Sequence, residues 1–375
     1  MRKKRYVVKQ RSRMILRIGI LALGALLAIG LVFGLIHLLK STKKGAKELT
    51  ELPFTDTANF PALRRWTSAA SGFLYFQEGK LFYKDIADSR KDTSYKINTD
   101  ELKLTASDSI SVLYHDTAVQ IVGSEAPIVV SGKVLGVKCS QAHVAVLRED
   151  SAGKTAIVIY DGAGTQTDQM DFDAADLIDF GFSNRQDETL WTLEMDLSAS
   201  TPVCTITTYN LATKRTTGVI NVQNQLTGNV IFTDKSLFLS GTSDLIRYTL
   251  AGSSEVYRIS VYGWKLADSS IGESPILLYK QRGGSNSILK LYTVPEGDVG
   301  SAAISTVHPP EGALAEFLIK GKLMIYTPTA AYTYSAAGKL LSRDDLPIEI
   351  DGAKKLSDNH IMLSKEGKLY ISVTK

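Results

Sequence analysis

The sequence predicts an all-β domain, a β-propeller of eight or alternatively seven blades, preceded by one transmembrane helix. Three observations predict it: an unbroken apolar run near the N-terminus, short strand-like segments that repeat at a regular interval, and a tyrosine at a matching place in most repeats. The chain has 375 residues and a hydrophobic fraction of 44%, enough to bury a large core.

Charge divides the chain into a basic start and an acidic remainder. Residues 1–47 contain no Asp or Glu and hold twelve of the 43 Lys and Arg residues. The other 31 basic residues stand against 39 acidic ones, so residues 48–375 carry a formal charge of −8. The tail 1–17 could bind anionic lipid or nucleic acid, but a membrane-topology signal alone explains its charges. We therefore predict no nucleic-acid partner.

Residues 18–39 form the predicted transmembrane helix. This run of 22 residues has no charge and, at about 1.5 Å per residue, covers roughly 33 Å, enough for a hydrocarbon core. A secretory signal would have a shorter apolar region followed by small residues at a cleavage site. The run is followed here by Lys40-Ser-Thr-Lys-Lys44, which indicates an uncleaved anchor and a linker over 40–48.

Eight basic residues precede the span and four follow it within residues 40–47, which predicts a cytoplasmic N-terminus and an extracellular domain over 49–375. Gly30 and Gly34 have the spacing that lets two membrane helices approach, so a helix-mediated dimer is one alternative. A single span without a partner helix is the preferred interpretation, with His37 at the membrane interface.

Eight strand-like runs begin 34 to 47 residues apart, a spacing typical of propeller blades. The runs are Phe73–Phe76, Ile110–Tyr114, Val144–Leu147, Leu190–Leu193, Leu237–Leu239, Ile276–Tyr279, Leu323–Tyr326 and Ile361–Leu363. Small sheets of this kind cannot bury both faces alone, whereas sheets packed around an axis cover one another.

A second run follows most of these and carries a tyrosine, namely Tyr83, Tyr160, Tyr209, Tyr248, Tyr292, Tyr334 and Tyr370. The second repeat lacks it and has Val119 in that region. Glycines such as Gly164, Gly252 and Gly338 follow, where a tight turn needs a positive φ.

The last repeat supplies only about three strands before the chain stops, so we predict that residues near Leu49–Phe54 add the missing strand and close the ring. Eight starts imply eight blades. If the first and last repeats share one blade, there are seven.

One span, a short linker and weak repeats such as Gly72-Phe-Leu-Tyr-Phe76 and Lys339-Leu-Leu341 resemble an uncharacterised family of membrane-anchored β-propeller proteins from Gram-positive, especially clostridial, bacteria. That family is defined only as a domain of unknown function. The resemblance covers nearly the whole chain and implies the fold, but no activity and no site residues.

Cysteine and histidine give no chemical signature. Cys139 and Cys204 fall in different apolar runs, which favours two separate buried thiols over a disulfide. His115, His143, His308 and His360 are scattered, without the short spacing of metal ligands on one element. We therefore predict no metal and no cofactor.

The sequence also lacks a complete nucleotide-binding loop and a nucleophile elbow. Gly153-Lys154-Thr155 has Arg148 where a phosphate loop needs glycine, and Gly162-Ala-Gly164 has Thr167 where a dinucleotide fingerprint needs one. No Gly-x-Ser-x-Gly sequence is present.

Five acids lie close together in the sequence, at Asp168, Asp171, Asp173, Asp176 and Asp179. Their spacing does not match a calcium loop, and the order Asp171-Phe172-Asp173 is typical of a half-exposed strand. Solvated strand and turn acids are the preferred interpretation, and a metal site is the alternative.

Two functions follow from this sequence. The first is a membrane-anchored binding or scaffold module that recognises a protein, peptide or cell-wall ligand through a propeller face. The second is an extracytoplasmic hydrolase with its site in the central funnel. Converging carboxylates in the funnel would favour the enzyme, and an apolar patch on one face would favour binding. Binding is preferred, because no catalytic residue is identified.

Overall fold

The computed structural model describes residues 49–374 apart from 56–66, 70–71, 78–79, 86–87, 97–102, 108, 125, 173–176, 184–187, 197, 199–200, 251–253, 273, 284–286 and 296–301. The predicted tail, span and linker, 1–48, lie outside the described residues. Among the described residues, no helix is long and apolar enough to cross a membrane.

Eight sheets of four antiparallel strands make up the described domain. Blades 1 and 2 consist of β2 (Thr67–Ala69), β3 (Gly72–Gln77), β4 (Lys80–Asp85), β5 (Thr93–Lys96), β6 (Lys103–Ala106), β7 (Ser111–His115), β8 (Ala118–Ile121) and β9 (Ile128–Val129), with a 3-10 turn at Ser89–Lys91. Blades 3 and 4 consist of β10 (Lys133–Cys139), β11 (His143–Glu149), β12 (Thr155–Asp161), β13 (Gln166–Phe172), β14 (Leu177–Phe182), β15 (Thr189–Asp196), β16 (Val203–Asn210) and β17 (Arg215–Gln223).

The second half of the domain repeats the pattern. Blades 5 and 6 consist of β18 (Thr227–Phe232), β19 (Ser236–Gly241), β20 (Asp244–Thr249), β21 (Glu255–Ser260), β22 (Trp264–Ser270), β23 (Ile276–Gln281), β24 (Leu289–Thr293) and β25 (Ala303–Val307). Blades 7 and 8 consist of β26 (Ala315–Ile319), β27 (Lys322–Tyr326), β28 (Ala330–Tyr334), β29 (Leu340–Asp345), β30 (Gly352–Lys355), β31 (His360–Lys365), β32 (Lys368–Val373) and β1 (Leu49–Thr55).

Burial differs between the strands of a blade. The second strand β19 is buried at all of its positions, because neighbouring blades cover both of its faces. The outermost strand β29 instead contains only exposed and half-buried residues, since it lies at the rim. All eight predicted runs fall on second strands, either wholly or with one residue in the preceding turn, and this confirms the predicted repeat.

The blades close into a ring. First strands of consecutive blades contact each other, β2 with β6, β6 with β10, β10 with β14, β22 with β26 and β26 with β30, so they lie innermost. Eight apolar clusters fill the eight boundaries between blades. The boundary between the last and first blades contains Leu52, Ile371 and Tyr75. Radial packing thus buries surfaces that single sheets would expose.

The N-terminal strand closes this ring, as predicted. Strand β1 is the outermost strand of blade 8 and pairs antiparallel with β32, with Leu49 opposite Ser372. Leu52 is buried, and Lys368 forms a 3.2 Å salt bridge with Glu51 across the pair. The structure therefore confirms eight blades and not seven.

Six of the seven repeated tyrosines pack against the preceding blade, whereas Tyr83 packs against the following one. Each lies on a third strand opposite an aliphatic residue of the second strand, as Tyr160 does with Val144 and Tyr248 with Leu237. In blade 2 the tyrosine lies on the second strand instead, since Tyr114 is opposite Val119, and this pair packs against the following blade. The deviation in the sequence therefore preserves the contact between an aromatic ring and an aliphatic side chain.

Candidate functional site

The ring has two faces that differ in their loops. Because each blade is a four-stranded antiparallel meander, the turns between strands 1 and 2 and between strands 3 and 4 lie on one face, here named the turn face. The loops between strands 2 and 3 and the connections between blades lie on the other, here named the connection face. First strands run from the connection face to the turn face along the central channel.

Four consecutive first strands carry a β-bulge. The register shifts between Val134 and Gly136, and equivalent shifts occur in β14, β18 and β22. Each shift leaves one unpaired residue, and these four residues, here named the bulge ring, are Leu135, Ile178, Gly228 and Ala267. All four are exposed, and because first strands are innermost, they face the channel.

The bulge ring gives the channel an apolar level. Leu135 and Ile178 are 42% and 50% exposed although their strands lie at the centre of the domain. A β-carbon placed on Gly228 would meet no heavy atom within 4 Å, so this position opens on free space. Exposed large apolar side chains inside a concavity are typical of binding surfaces.

Acidic groups on the described channel wall are paired with lysines. Asp179 lies 3.5 Å from Lys138, and the buried Glu316 carboxylate lies 2.5 Å from the Lys280 ammonium group. A third acid, Asp268, lies 3.6 Å from Lys355. These pairs neutralise the carboxylates that a hydrolase would need to converge on a substrate.

Lysines exceed acids on the described first strands, which carry six lysines, three acids and no arginine. Two of these six lysines, Lys138 and Lys355, form the salt bridges with Asp179 and Asp268 described above. The other four, which are all exposed, are Lys103, Lys133, Lys265 and Lys354. The channel is therefore positively charged within a domain whose overall formal charge is negative.

Two cavities open on this wall. One of about 640 Å³ is bordered by first strands of blades 6 to 8 and includes Leu314, Glu316 and Lys354. The other, of about 630 Å³, lies at the turn-face end of the first strands of blades 2 to 4 and includes Cys139 and Trp191. Both volumes suit a peptide segment or a small molecule.

An apolar surface lies beside the channel on the connection face. Leu226, Tyr262 and Leu314 occupy the connections that lead into blades 5, 6 and 7, and are 44%, 80% and 40% exposed. We name these three residues the apolar arc. Leu314 also borders the 640 Å³ cavity, so the arc continues into the channel.

The two cysteines and His143 have different environments. Cys139 and Cys204 are both free; Cys204 is buried, whereas Cys139 is half-buried. Burial raises the pKa of the Cys139 thiol to about 12, which keeps it protonated at neutral pH. Nδ1 of His143 contacts the Glu188 carboxylate, a pairing of residues 45 positions apart that the sequence did not reveal.

The other histidines and the glycine motifs have structural environments. Burial and the nearby Lys320 charge lower the pKa of His360, and His308 is exposed in the connection to blade 7. Gly153 and Gly164 adopt positive φ in hairpin turns, as does Gly338, whereas Gly252 lies outside the described residues.

The acidic stretch is dispersed over strands. Asp168 accepts a 2.6 Å hydrogen bond from the Tyr209 hydroxyl, and Asp171 is exposed beside Phe172, whose ring packs inward. The strand interpretation is confirmed there, while Asp173 and Asp176 lie outside the described residues. Within the described part of the chain, no three His, Cys, Asp or Glu side chains lie close enough to hold a metal ion.

No protein-family model and no curated protein matches the chain. Solved structures do match in fold. BamB from Moraxella catarrhalis is 12% identical with a TM-score of 0.53, over 88% of this chain and 98% of that one. The WD40 domain of SCAP from fission yeast is 10% identical with a TM-score of 0.56, over 87% and 98%.

A third match is the C-terminal WD40 domain of Sif2, 12% identical with a TM-score of 0.54, over 88% of this chain and 99% of that one. The chain therefore has a propeller fold similar to BamB and WD40 proteins. At this identity the likeness describes the fold alone. The propeller part of the predicted family resemblance is confirmed, and membership of the membrane-anchored family stays a prediction.

Proposed function

We propose that the chain is a single-pass membrane protein whose propeller, held outside the cytoplasm by the helix at 18–39, binds a protein partner through its connection face. The observation that carries this proposal is the apolar arc. Three successive connections on one face each expose a large apolar side chain, and an unpartnered patch of this kind is typical of a protein-binding surface.

The arrangement of the arc suits recognition. Tyrosine supplies a large contact area with few rotatable bonds, and Tyr262 precedes Gly263, whose φ of +81° fixes the turn that presents it. The indole of the neighbouring Trp264 has the Lys290 ammonium group 4.1 Å from its ring centroid. A defined turn therefore presents the Tyr262 side chain of the arc.

The membrane part of the proposal rests on the sequence. The uncharged run at 18–39 is long enough to span, and the eight basic residues before it favour a cytoplasmic N-terminus. A helix-mediated dimer through Gly30 and Gly34 stays the alternative to the single span without a partner helix. A hydrolase is not favoured, because the acids described on the channel wall are paired with lysines.

Site-specific photocrosslinking in the cells that make the chain tests this function. A photoreactive amino acid at Tyr262 should give a discrete heavier product that contains a second protein. The matched control replaces Val129, which is 81% exposed on the outermost strand of blade 2. Products of equal yield at both positions, or none at Tyr262, would contradict binding through the connection face.

A further inference from the structure

We propose that the central channel binds an acidic, extended peptide segment whose apolar side chains contact the bulge ring. This inference rests on the proposed function and names the part of the partner that enters the ring. Its observations are the charge of the channel, its apolar level and its continuity with the apolar arc.

The positive charge of the channel favours a negatively charged ligand. The described first strands carry a net formal charge of +3, from six lysines and three acids, whereas residues 48–375 together carry −8. A positive channel within an acidic domain focuses its field on negatively charged segments and disfavours cations. Lys133 and Lys354 form no salt bridge among the described residues and are available for such a segment.

The exposed apolar side chains of the bulge ring favour a peptide over a phosphate polymer. A polyphosphate chain has no group that would cover Leu135 and Ile178, whereas a peptide that alternates acidic and apolar residues contacts both the lysines and the bulge ring. The absence of arginine from the described first strands fits this choice, because arginine is the side chain that binds phosphate in a bidentate manner.

The apolar arc on the connection face leads directly into the channel. Leu226 of the apolar arc lies two residues before Gly228 of the bulge ring, and Leu314 borders the same cavity as Lys354. A segment that leaves the arc therefore meets the channel lysines without crossing another blade. An extended strand of several residues spans such a path at about 3.3 Å per residue.

The test measures binding of a short fluorescent peptide that alternates Glu and Leu to the full chain in nanodiscs of zwitterionic lipid. Lys133→Glu with Lys354→Glu should weaken binding by about tenfold or more, because both changes place like charges beside the peptide. Lys214→Glu with Lys339→Glu is the matched control, since it reverses two exposed lysines in turns between third and fourth strands, on the turn face, and should leave affinity unchanged. Equal effects of the two pairs would overturn the proposal.

A second variant and two further probes complete the test. Gly228→Trp adds a large side chain to the channel wall at a position where a β-carbon would meet no heavy atom within 4 Å, and should abolish binding while the chain stays folded. Replacing Leu by Ser in the peptide should also weaken binding. If polyphosphate competes equally well and this replacement has no effect, the channel binds polyanions and the peptide proposal is wrong.

The result separates this inference from the proposed function. If the yield of the crosslinked product from Tyr262 is unchanged in the Lys133→Glu, Lys354→Glu variant, the partner binds at the connection face without the channel lysines. That result would support the proposed function and overturn the channel proposal. Loss of that product in this variant and in Gly228→Trp would support both. The absence of any product from Tyr262 in the unmodified chain would contradict the proposed function itself.

Discussion

Lys355 in blade 8 lies 3.6 Å from Asp268 in blade 6, and both side chains bind the backbone of Leu318 in the blade between them. Asp268 accepts the Leu318 N–H at 2.7 Å, and the Lys355 ammonium group donates to the Leu318 carbonyl at 2.6 Å. Three first strands are thereby joined at the channel wall. The polar groups of an inner strand edge, which no further strand covers, obtain partners from neighbouring blades.

Removing this link should destabilise the ring. Asp268→Ala leaves the Leu318 N–H without its acceptor, so we expect a loss of about 1–3 kcal/mol in the free energy of unfolding. Urea unfolding of the full chain in detergent measures it. The control is Asp358→Ala, because Asp358 lies 3.3 Å from the same lysine but is exposed, and its loss should cost at most about 0.5 kcal/mol. Equal losses would show that the Leu318 contact contributes nothing.

Closure by β1 should depend on one buried side chain. Leu52→Ala removes a residue from the boundary between blades 8 and 1, and we expect a loss of about 2–3 kcal/mol. Thr50→Ala on the same strand is the control, because Thr50 is exposed. Limited proteolysis should cut the Leu52 variant faster than the control. Identical cleavage rates would mean that β1 does not hold the ring shut.

Two glycines of first strands should respond oppositely to alanine. A β-carbon at Gly181 would lie 2.8 Å from Cζ2 of Trp191, so Gly181→Ala should destabilise by about 1–3 kcal/mol. Gly228→Ala meets nothing and should be neutral or stabilise by up to about 1 kcal/mol, because it restricts the unfolded chain. Midpoints of thermal unfolding compare the two. A stable Gly181 variant would contradict the packing of Trp191.

The thiol of Cys139 should be chemically inert at neutral pH. Its pKa is raised to about 12, so the reactive thiolate is scarce below pH 10 and increases only as the pH approaches 12. Iodoacetamide at pH 8 should therefore modify Cys139 far more slowly than an exposed cysteine introduced as Tyr262→Cys. Similar modification rates at the two cysteines would mean that the Cys139 thiol is activated and would favour an enzymatic function.

Much of the fold could be predicted because it depends on local pattern. The second strands are apolar at consecutive positions and seven of the eight third strands carry tyrosine, so residues such as Leu237 and Tyr248 identify a blade. The closing strand near Leu49 could be inferred because the last repeat was one strand short. These features follow from burial between blades, which acts on every repeat in the same way.

The channel could not be predicted, because its features arise from pairing between distant segments. The bulge ring contains Leu135, Ile178, Gly228 and Ala267, which share no residue type, and a register shift leaves no trace in composition. Asp268 and Lys355 lie in different blades, and their contact exists only once the ring has closed. The apolar arc likewise consists of single residues in separate loops.

Cysteine labelling in intact cells tests most directly whether the connection face is presented outside the cytoplasm. A membrane-impermeant maleimide should label Tyr262→Cys in intact cells, and should label Ser12→Cys in the basic tail only after the membrane is permeabilised. The native Cys139 and Cys204 thiols should contribute little signal, because one is protonated and the other buried. Labelling of Ser12→Cys in intact cells, with Tyr262→Cys protected until lysis, would contradict the account.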